Sequence, residues 1–315
     1  MVEPRTTWRE RLTGLGPGGR AGRRPPRPVL VGVVVADLAN PFFADVVAGC
    51  RSAAAGAGWR LVVGDSAGRP DLETQHLRGF ESGGVRGVLL APVGEVPDQA
   101  GRLQRRGVPV VVVDRGADEP GFCTVAVDDV EGGRLAMGHL TERQHREVAF
   151  VGGHAGPDGL QQMRDRLLGA RLAGAGLGEQ VRLRTVLTSA LDVPAGLEAV
   201  ETLLALPARD RPTAVFAAND LLALGLLQGF TAAGLQVPGD VALVGYDDID
   251  LAAAAPVALS SVRQPRHALG QRAVELLRRE LEVGADGSGH HHEQVRFVPE
   301  MVPRASSAAR AGRAG

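Results

Sequence analysis

Residues 29–65 read VLVGVVVADLANPFFADVVAGCRSAAAGAGWRLVVGD. Two Val- and Leu-rich runs, Val29–Val35 and Arg60–Val63, flank an Ala-rich stretch of helical length at 42–57. Neither run alternates apolar with polar residues, which is the pattern of strands covered on both faces in a parallel sheet. A helix joining two such strands is a crossover, and crossovers are almost always right-handed. The unit recurs. Further strands are expected at Gly87–Ala91, Val108–Val113, Thr124–Val127, Glu147–Val151, Ala214–Ala217, Val241–Gly245 and Leu259–Val262. Helices are expected between them, near 71–82, 96–106, 129–142, 160–175, 193–206, 220–233 and 266–283. Strands and helices in alternation give a doubly wound α/β architecture.

Ligands in such sheets gather outside the carboxyl ends of the strands. At those ends stand Asp37 and Asn40, Asp65 and Ser66, Asp114 and Arg115, Asp128 and Asp129, Asn219 and Asp220, and Asp247 and Asp248. Six polar exits suggest one hydrogen-bonding cleft. The same residue types also cap the helices that follow, so both readings stand at this point.

With 315 residues, the chain is long enough for about two domains. Its 44% hydrophobic and 23% charged content is that of a globular protein with a large core. All 35 basic residues are arginine. The absence of lysine excludes a Walker-type phosphate loop, a pyridoxal Schiff base and a kinase strand lysine. Net charge is −1, but residues 1–28 carry seven arginines against two glutamates, so the remainder is near −6. That Arg/Gly/Pro-rich segment has too little apolar material to order itself and reads as a tail, with a short helix possible at Thr7–Leu12. Cys50 and Cys123 lie far apart in apolar surroundings and read as small buried residues in a reducing cytoplasm. No apolar run approaches the roughly 18 residues of a membrane span. A signal peptide ending near Ala36 would remove the first core strand, which argues against one.

Five segments in order carry a family resemblance. They are Val31-Gly-Val-Val-Val-Ala-Asp-Leu-Ala-Asn-Pro-Phe-Phe43; Val110-Val-Val-Val-Asp-Arg115 with Val127-Asp-Asp and Gly132-Gly-Arg-Leu135; Val148-Ala-Phe-Val-Gly-Gly153; Ala214-Val-Phe-Ala-Ala-Asn-Asp220; and Val237-Pro-Gly-Asp-Val-Ala-Leu-Val-Gly-Tyr-Asp-Asp248 leading to Leu259-Ser-Ser-Val-Arg-Gln-Pro265. The only two asparagines, Asn40 and Asn219, both fall within them. From about Val29 to Ser307 the chain resembles the effector-binding core of the LacI/GalR family of bacterial transcription regulators. The resemblance implies the periplasmic-binding-protein type I fold, in which two doubly wound parallel-sheet lobes are joined by three crossings. The crossings are expected near Gln144–Arg146, Ser260–Gln264 and His290–Gln294. The first lobe would then comprise 29–143 plus 263–290, the second 146–260 plus 293–305, with 306–315 a disordered tail.

The resemblance also implies ligand contacts. Asp247 matches a carboxylate that accepts from ligand hydroxyls, and Asn219 an amide that both donates and accepts. Arg166, in Arg-x-x-Gly, matches a guanidinium able to bridge two vicinal hydroxyls. Ala39, Pro41 and Phe42 would line the first-lobe wall, and Glu131 occupies an often acidic position. The implied ligand is a small polar effector, a sugar, nucleoside or similar polyol. The implied protein is a cytoplasmic homodimeric repressor without cofactor, metal, membrane partner or catalytic role, and operator DNA is its expected partner. The chain departs from the pattern at Ala170, where an aromatic is usual. It also departs ahead of Val29, where no helix-turn-helix or hinge helix is recognisable. An arginine-rich tail of this kind can touch phosphates without reading bases.

Two other protein classes are compatible with parts of this pattern. A solute-binding protein of a transport system would share the fold and carry a secretory signal or lipobox cysteine, which is not seen. A Rossmann-type enzyme needs a strand–Gly-x-Gly-x-x-Gly–helix unit; Gly14-x-Gly16-x-x-Gly19 follows no strand and contains Pro17. The adjacent pairs Asp128-Asp129 and Asp247-Asp248 should point apart and so serve poorly as acid/base pairs. His290-His291-His292 lacks ligand spacing on a helix and has no cysteine nearby in the sequence, so it reads as a solvated loop and not a metal site.

Overall fold

The structure, a computed structural model, describes residues 29–116, 121–153, 160–176, 181–286 and 290–308. The expected basic tail at 1–28 lies outside these residues, as do residues 309–315. In chain order the first half runs β1 (Leu30–Val35), α1 (Pro41–Gly56), β2 (Arg60–Asp65), α2 (Pro70–Gly83), β3 (Gly87–Leu90), α3 (Asp98–Arg105), β4 (Val110–Val113) and β5 (Cys123–Val127). There follow α4 (Asp129–Glu142), β6 (Glu147–Gly152), α5 (Gln161–Ala175), β7 (Arg182–Leu187), α6 (Val193–Leu204), β8 (Ala214–Ala217), α7 (Asp220–Ala232) and β9 (Ala242–Asp247). The chain closes with α8 (Asp250–Ala254), β10 (Ser260–Arg263), α9 (Arg266–Asp286), β11 (Gln294–Phe297) and β12 (Glu300–Val302).

Two six-stranded sheets form, ordered β11-β5-β4-β3-β1-β2 and β12-β10-β9-β8-β6-β7. Every pairing is parallel except the short antiparallel contact of β12 with β10. The expected α/β fold with two doubly wound lobes is therefore present. In each sheet the strand order reverses beside the first strand, β1 or β6, and ligands bind at such reversals. Alternate residues of β1 serve opposite faces: Val31, Val33 and Val35 pack with Phe42, Val46 and Leu269 on α1 and α9, while Val34 packs with Leu77 and Leu103 on α2 and α3. The second lobe has its own core around Phe150, Phe216 and Tyr246.

The crossings differ from those expected. α4 buries Ala136, Met137 and Leu140 in the second lobe's core, so the chain first crosses at Asp128, not at Gln144–Arg146. The apolar stripe of α4 gives its direction of burial but not which sheet receives it. β10 belongs to the second sheet and α9 packs on α1, placing the second crossing at Gln264–Pro265. β11 pairs with β5 in the first sheet, which moves the third crossing from His290–Gln294 to Val298–Pro299. Residues 306–308 are likewise not tail. Ser306 and Ser307 are fully buried, Ser306 Oγ donating to Leu243 O at 2.6 Å and Ser307 Oγ lying 2.6 Å from His139 Nε2. Three strands escaped the sequence reading: β7, β11 and β12 sit at sheet edges and carry exposed arginine, glutamine or glutamate. β2 is an edge strand as well, and Val62 and Val63 stand well exposed on it.

Candidate functional site

The carboxyl ends of both sheets face one cavity of about 630 Å³ between the lobes, a size suited to a small ligand. Five of the strand exits noted in the sequence supply residues to its lining: Asp37 and Asn40 after β1, Ala67 and Gly68 beyond β2, Asp114 after β4, Asn219 after β8, and Asp247 at the end of β9.

Arg166 is the centre of the polar floor. α5 carries it and is pressed against α4 through glycines: a Cβ on Gly133 would lie 2.0 Å from Arg166 O, and one on Gly169 would lie 1.9 Å from Val130 O. That close approach brings Asp129, on the first turn of α4, to Arg166, whose Nε donates to Asp129 Oδ1 at 2.8 Å. Nη1 donates to Ala218 O at 2.7 Å and lies 4.0 Å from Asp247 Oδ1. The guanidinium carbon sits 3.6 Å over the Tyr246 ring, a cation–π stack. Burial works against the charge on Arg166, but Asp129, Tyr246, Asp247 and Asp114 outweigh it and hold the guanidinium ionised.

Asp247 has φ +106 and Asp114 φ +59, conformations that side-chain-bearing residues seldom adopt. Such strain at two strand exits facing one cavity is typical of ligand sites. Asp247 accepts from Gln264 Nε2 at 2.7 Å and, across the cleft, from Asn40 Nδ2 at 3.3 Å. A second cross-lobe bond joins Gln162 Nε2 of α5 to Asp114 Oδ2 at 3.2 Å and to the Asp114 carbonyl. Burial raises the Asp247 carboxyl, which Arg166 opposes. Burial, then Asp129, pushes the Asp114 carboxyl well above the usual carboxylate range, with Arg166 opposing. Two acceptors, Asp114 Oδ1 and Gln264 Oε1, are buried without a partner. Three carboxyls thus face one guanidinium, and unsatisfied acceptors face the cavity. The arrangement welcomes hydrogen-bond donors and disfavours an anion. Phe42 and Phe43, edge to face at 4.9 Å, together with Leu160, Met163 and Leu191 form an apolar wall.

Of the residues singled out from the sequence, the fold brings Asp247, Asn219, Arg166 and Phe42 to this cavity. Asn219 also caps α7, its Oδ1 accepting from Leu222 N at 2.9 Å and its Nδ2 donating to Leu191 O. Three expected residues do not line it. Ala39 is exposed on the turn, Pro41 is the first residue of α1, and Glu131 turns along α4 toward Arg134 at 3.8 Å. The adjacent aspartates do point apart. Asp248 leaves the cavity for Arg263 and Arg304, and Asp128 caps α4 while Asp129 turns to Arg166. Asn40, Asp114, Asp129, Gln162 and Gln264 were not singled out as ligand contacts. Asn40, Asp114 and Asp129 stood among the polar strand exits and Gln264 ended an expected crossing, but Gln162 gave no signal at all.

The family of periplasmic-binding-protein-like domains matches residues 137–307. The chain is 30% identical over 272 residues to the transcriptional repressor CytR of Escherichia coli, covering 86% of this chain and 78% of that protein. It is 29% identical over 277 residues to the transcriptional repressor PurR of Photobacterium profundum, covering 88% and 80%. Among solved structures, a LacI-family transcriptional regulator from Enterococcus faecium with bound ribose superposes with a TM-score of 0.78 at 27% identity, covering 89% of this chain and 99% of that one.

Proposed function

Because the chain belongs to the LacI family of transcriptional regulators and carries their periplasmic-binding-protein-like core, we propose that its inter-lobe cavity senses a neutral, hydroxyl-rich small molecule, first of all a sugar. The observation that carries this reading is the acceptor-rich floor, where Asp247, Asp114 and Gln264 surround Arg166 beneath an aromatic wall. Vicinal hydroxyls can donate to the carboxyls while accepting from the guanidinium fork. The ribose held by the Enterococcus faecium neighbour is a ligand of this chemistry.

The response follows from where the floor is anchored. Asp247 is bonded to Asn40 of the first lobe and to Gln264 at the second crossing. A ligand that takes over the Asp247 carboxylate competes with both bonds and so acts on lobe closure and on a hinge at once. Closure shifts the relation between the first lobes of a homodimer and thereby its hold on operator DNA. No helix among the described residues is long and apolar enough to cross a membrane.

The test is a thermal-shift panel of neutral pentoses, hexoses, disaccharides and nucleosides beside their phosphorylated forms. A neutral sugar or nucleoside should raise the melting temperature and its phosphate should not. Stabilisation by the phosphates alone would overturn the reading of the floor. Operator mobility shifts with and without the stabilising compound then test the coupling to DNA.

A further inference from the structure

The histidine run 290–292, expected as a solvated loop, meets a buried cysteine. Cys123 opens β5, Glu280 lies on α9, and His290 and His292 stand in the stretch entering β11. Register explains the meeting: Gln294 pairs with Thr124, so the residues just before β11 run beside Cys123. The expectation that no cysteine lies near these histidines held along the chain only, since 167 positions separate Cys123 from His290.

One ligating atom from each of the four side chains lies within 4.8 Å of all the others. Cys123 Sγ is 3.1 Å from His290 Nε2, and Glu280 Oε1 is 3.7 Å from both His290 Nε2 and His292 Nδ1. Ligand atoms of a tetrahedral zinc ion, at its usual bond lengths, stand about 3.3–3.6 Å apart. The observed separations bracket that range. Glu280 is 9% exposed, and its Oε1, which faces both histidines, is a buried acceptor without a hydrogen-bond partner. Leaving such an atom unsatisfied is costly, and a cation would satisfy it.

The surroundings fit as well. Glu293 N donates to Cys123 Sγ at 3.3 Å, the kind of outer contact that holds a ligating sulfur in place. The Glu293 carboxylate is itself neutralised by Arg272 at 3.0 Å and Arg279 at 2.8 Å, so it does not compete for the ion. A surface depression bounded by Arg86, Arg105 and Pro109 reaches Glu280 and His292, giving a path from solvent. One sulfur, two imidazole nitrogens and one carboxylate oxygen suit zinc; magnesium and calcium call for oxygen alone.

We propose that the first lobe binds one Zn²⁺ through Cys123 Sγ, Glu280 Oε1, His290 Nε2 and His292 Nδ1. The Cys123 thiol releases its proton to solvent as the Zn–S bond forms, and no electrons are transferred. The site lies at the amino end of β5, about 13 Å along the strand from Val127 and so remote from the effector cavity. It ties α9 and the approach to β11 onto the sheet. The third crossing follows β11 directly, so the ion anchors the segment that leads into a hinge.

The experiment is zinc titration of the full chain, untagged and stripped with chelator, against a chromophoric competitor. Cobalt(II) serves as a second probe for sulfur ligation. The expected result is one zinc per chain, a thiolate-to-cobalt charge-transfer band, and a higher melting temperature with zinc. Cys123→Ser should abolish the band and weaken zinc binding by about 100-fold or more. His292→Ala, at an exposed position that tolerates change, should weaken it in the same sense. His291→Ala should leave it unaltered. Absence of stoichiometric binding would overturn the proposal, and so would zinc affinity independent of both Cys123 and His292. Asp247→Asn should bind zinc normally, which separates this site from the effector reading.

Discussion

Replacing Asp247 by asparagine turns one of the three carboxyls facing Arg166 into an amide with almost no change of shape. Asparagine also tolerates the left-handed backbone at this position better than alanine does. The fold should survive. Arg166 keeps Asp129 at 2.8 Å and Ala218 O at 2.7 Å, and only its 4.0 Å contact to residue 247 is weakened. The effector loses more. A hydrogen bond to a charged acceptor contributes about 1.5–3 kcal/mol and a neutral one about 1, so each ligand hydroxyl on this carboxylate loses about 0.5–2 kcal/mol. For two hydroxyls the affinity falls by about 5- to 700-fold. A thermal-shift assay reads this directly. At a ligand concentration of about 100 Kd the native protein gains about 2.7 kcal/mol. After a 100-fold loss of affinity the same concentration gives about 0.4 kcal/mol. A shift of several degrees should shrink to about one degree. Undiminished stabilisation in a variant with the native melting temperature would refute the placement of the ligand on Asp247.

Arg166→Ala should behave differently, because it leaves the buried Asp129 carboxylate without its partner; a loss of about 3–5 kcal/mol in urea denaturation is expected. An unchanged midpoint would show that the cluster does not hold the second lobe together. Gly169→Ala places a methyl 1.9 Å from Val130 O, forcing α4 and α5 apart; it should cost about 1–3 kcal/mol and weaken effector binding with it, as calorimetry and the thermal-shift panel will read. His139 supplies a pH dependence. Burial, then Arg143 and His145, depress its pKa to about 4, so the folded state binds its proton more weakly than the unfolded chain does. The stability it contributes is present above about pH 6.5 and is lost as pH falls toward 4, about 2 kcal/mol of it between pH 7 and 5. Urea midpoints of the native chain and of His139→Gln over that range should converge in acid; parallel curves would refute the assignment.

The α/β class is legible in the chain alone. A buried parallel strand must be apolar on both faces, and runs such as Val110–Val113 and Ala214–Ala217 are legible without any partner. The chain also marks the strand exits where the cavity lies, since aspartate and asparagine at those ends serve helix caps and ligands alike. Edge strands were not legible, because β7 and β11 expose alternate residues and so need no continuous apolar run. Nor was the choice of lobe for α4, whose stripe of Ala136, Met137 and Leu140 would suit either sheet. Which residues share a site emerges only when the chain is folded. Gln162 meets Asp114, Gln264 and Asn40 meet Asp247, and Cys123 meets His290, all across separations that no local pattern encodes. Propensity and periodicity act over a few residues, whereas a binding site is assembled by sheet register and lobe crossings acting over the whole chain.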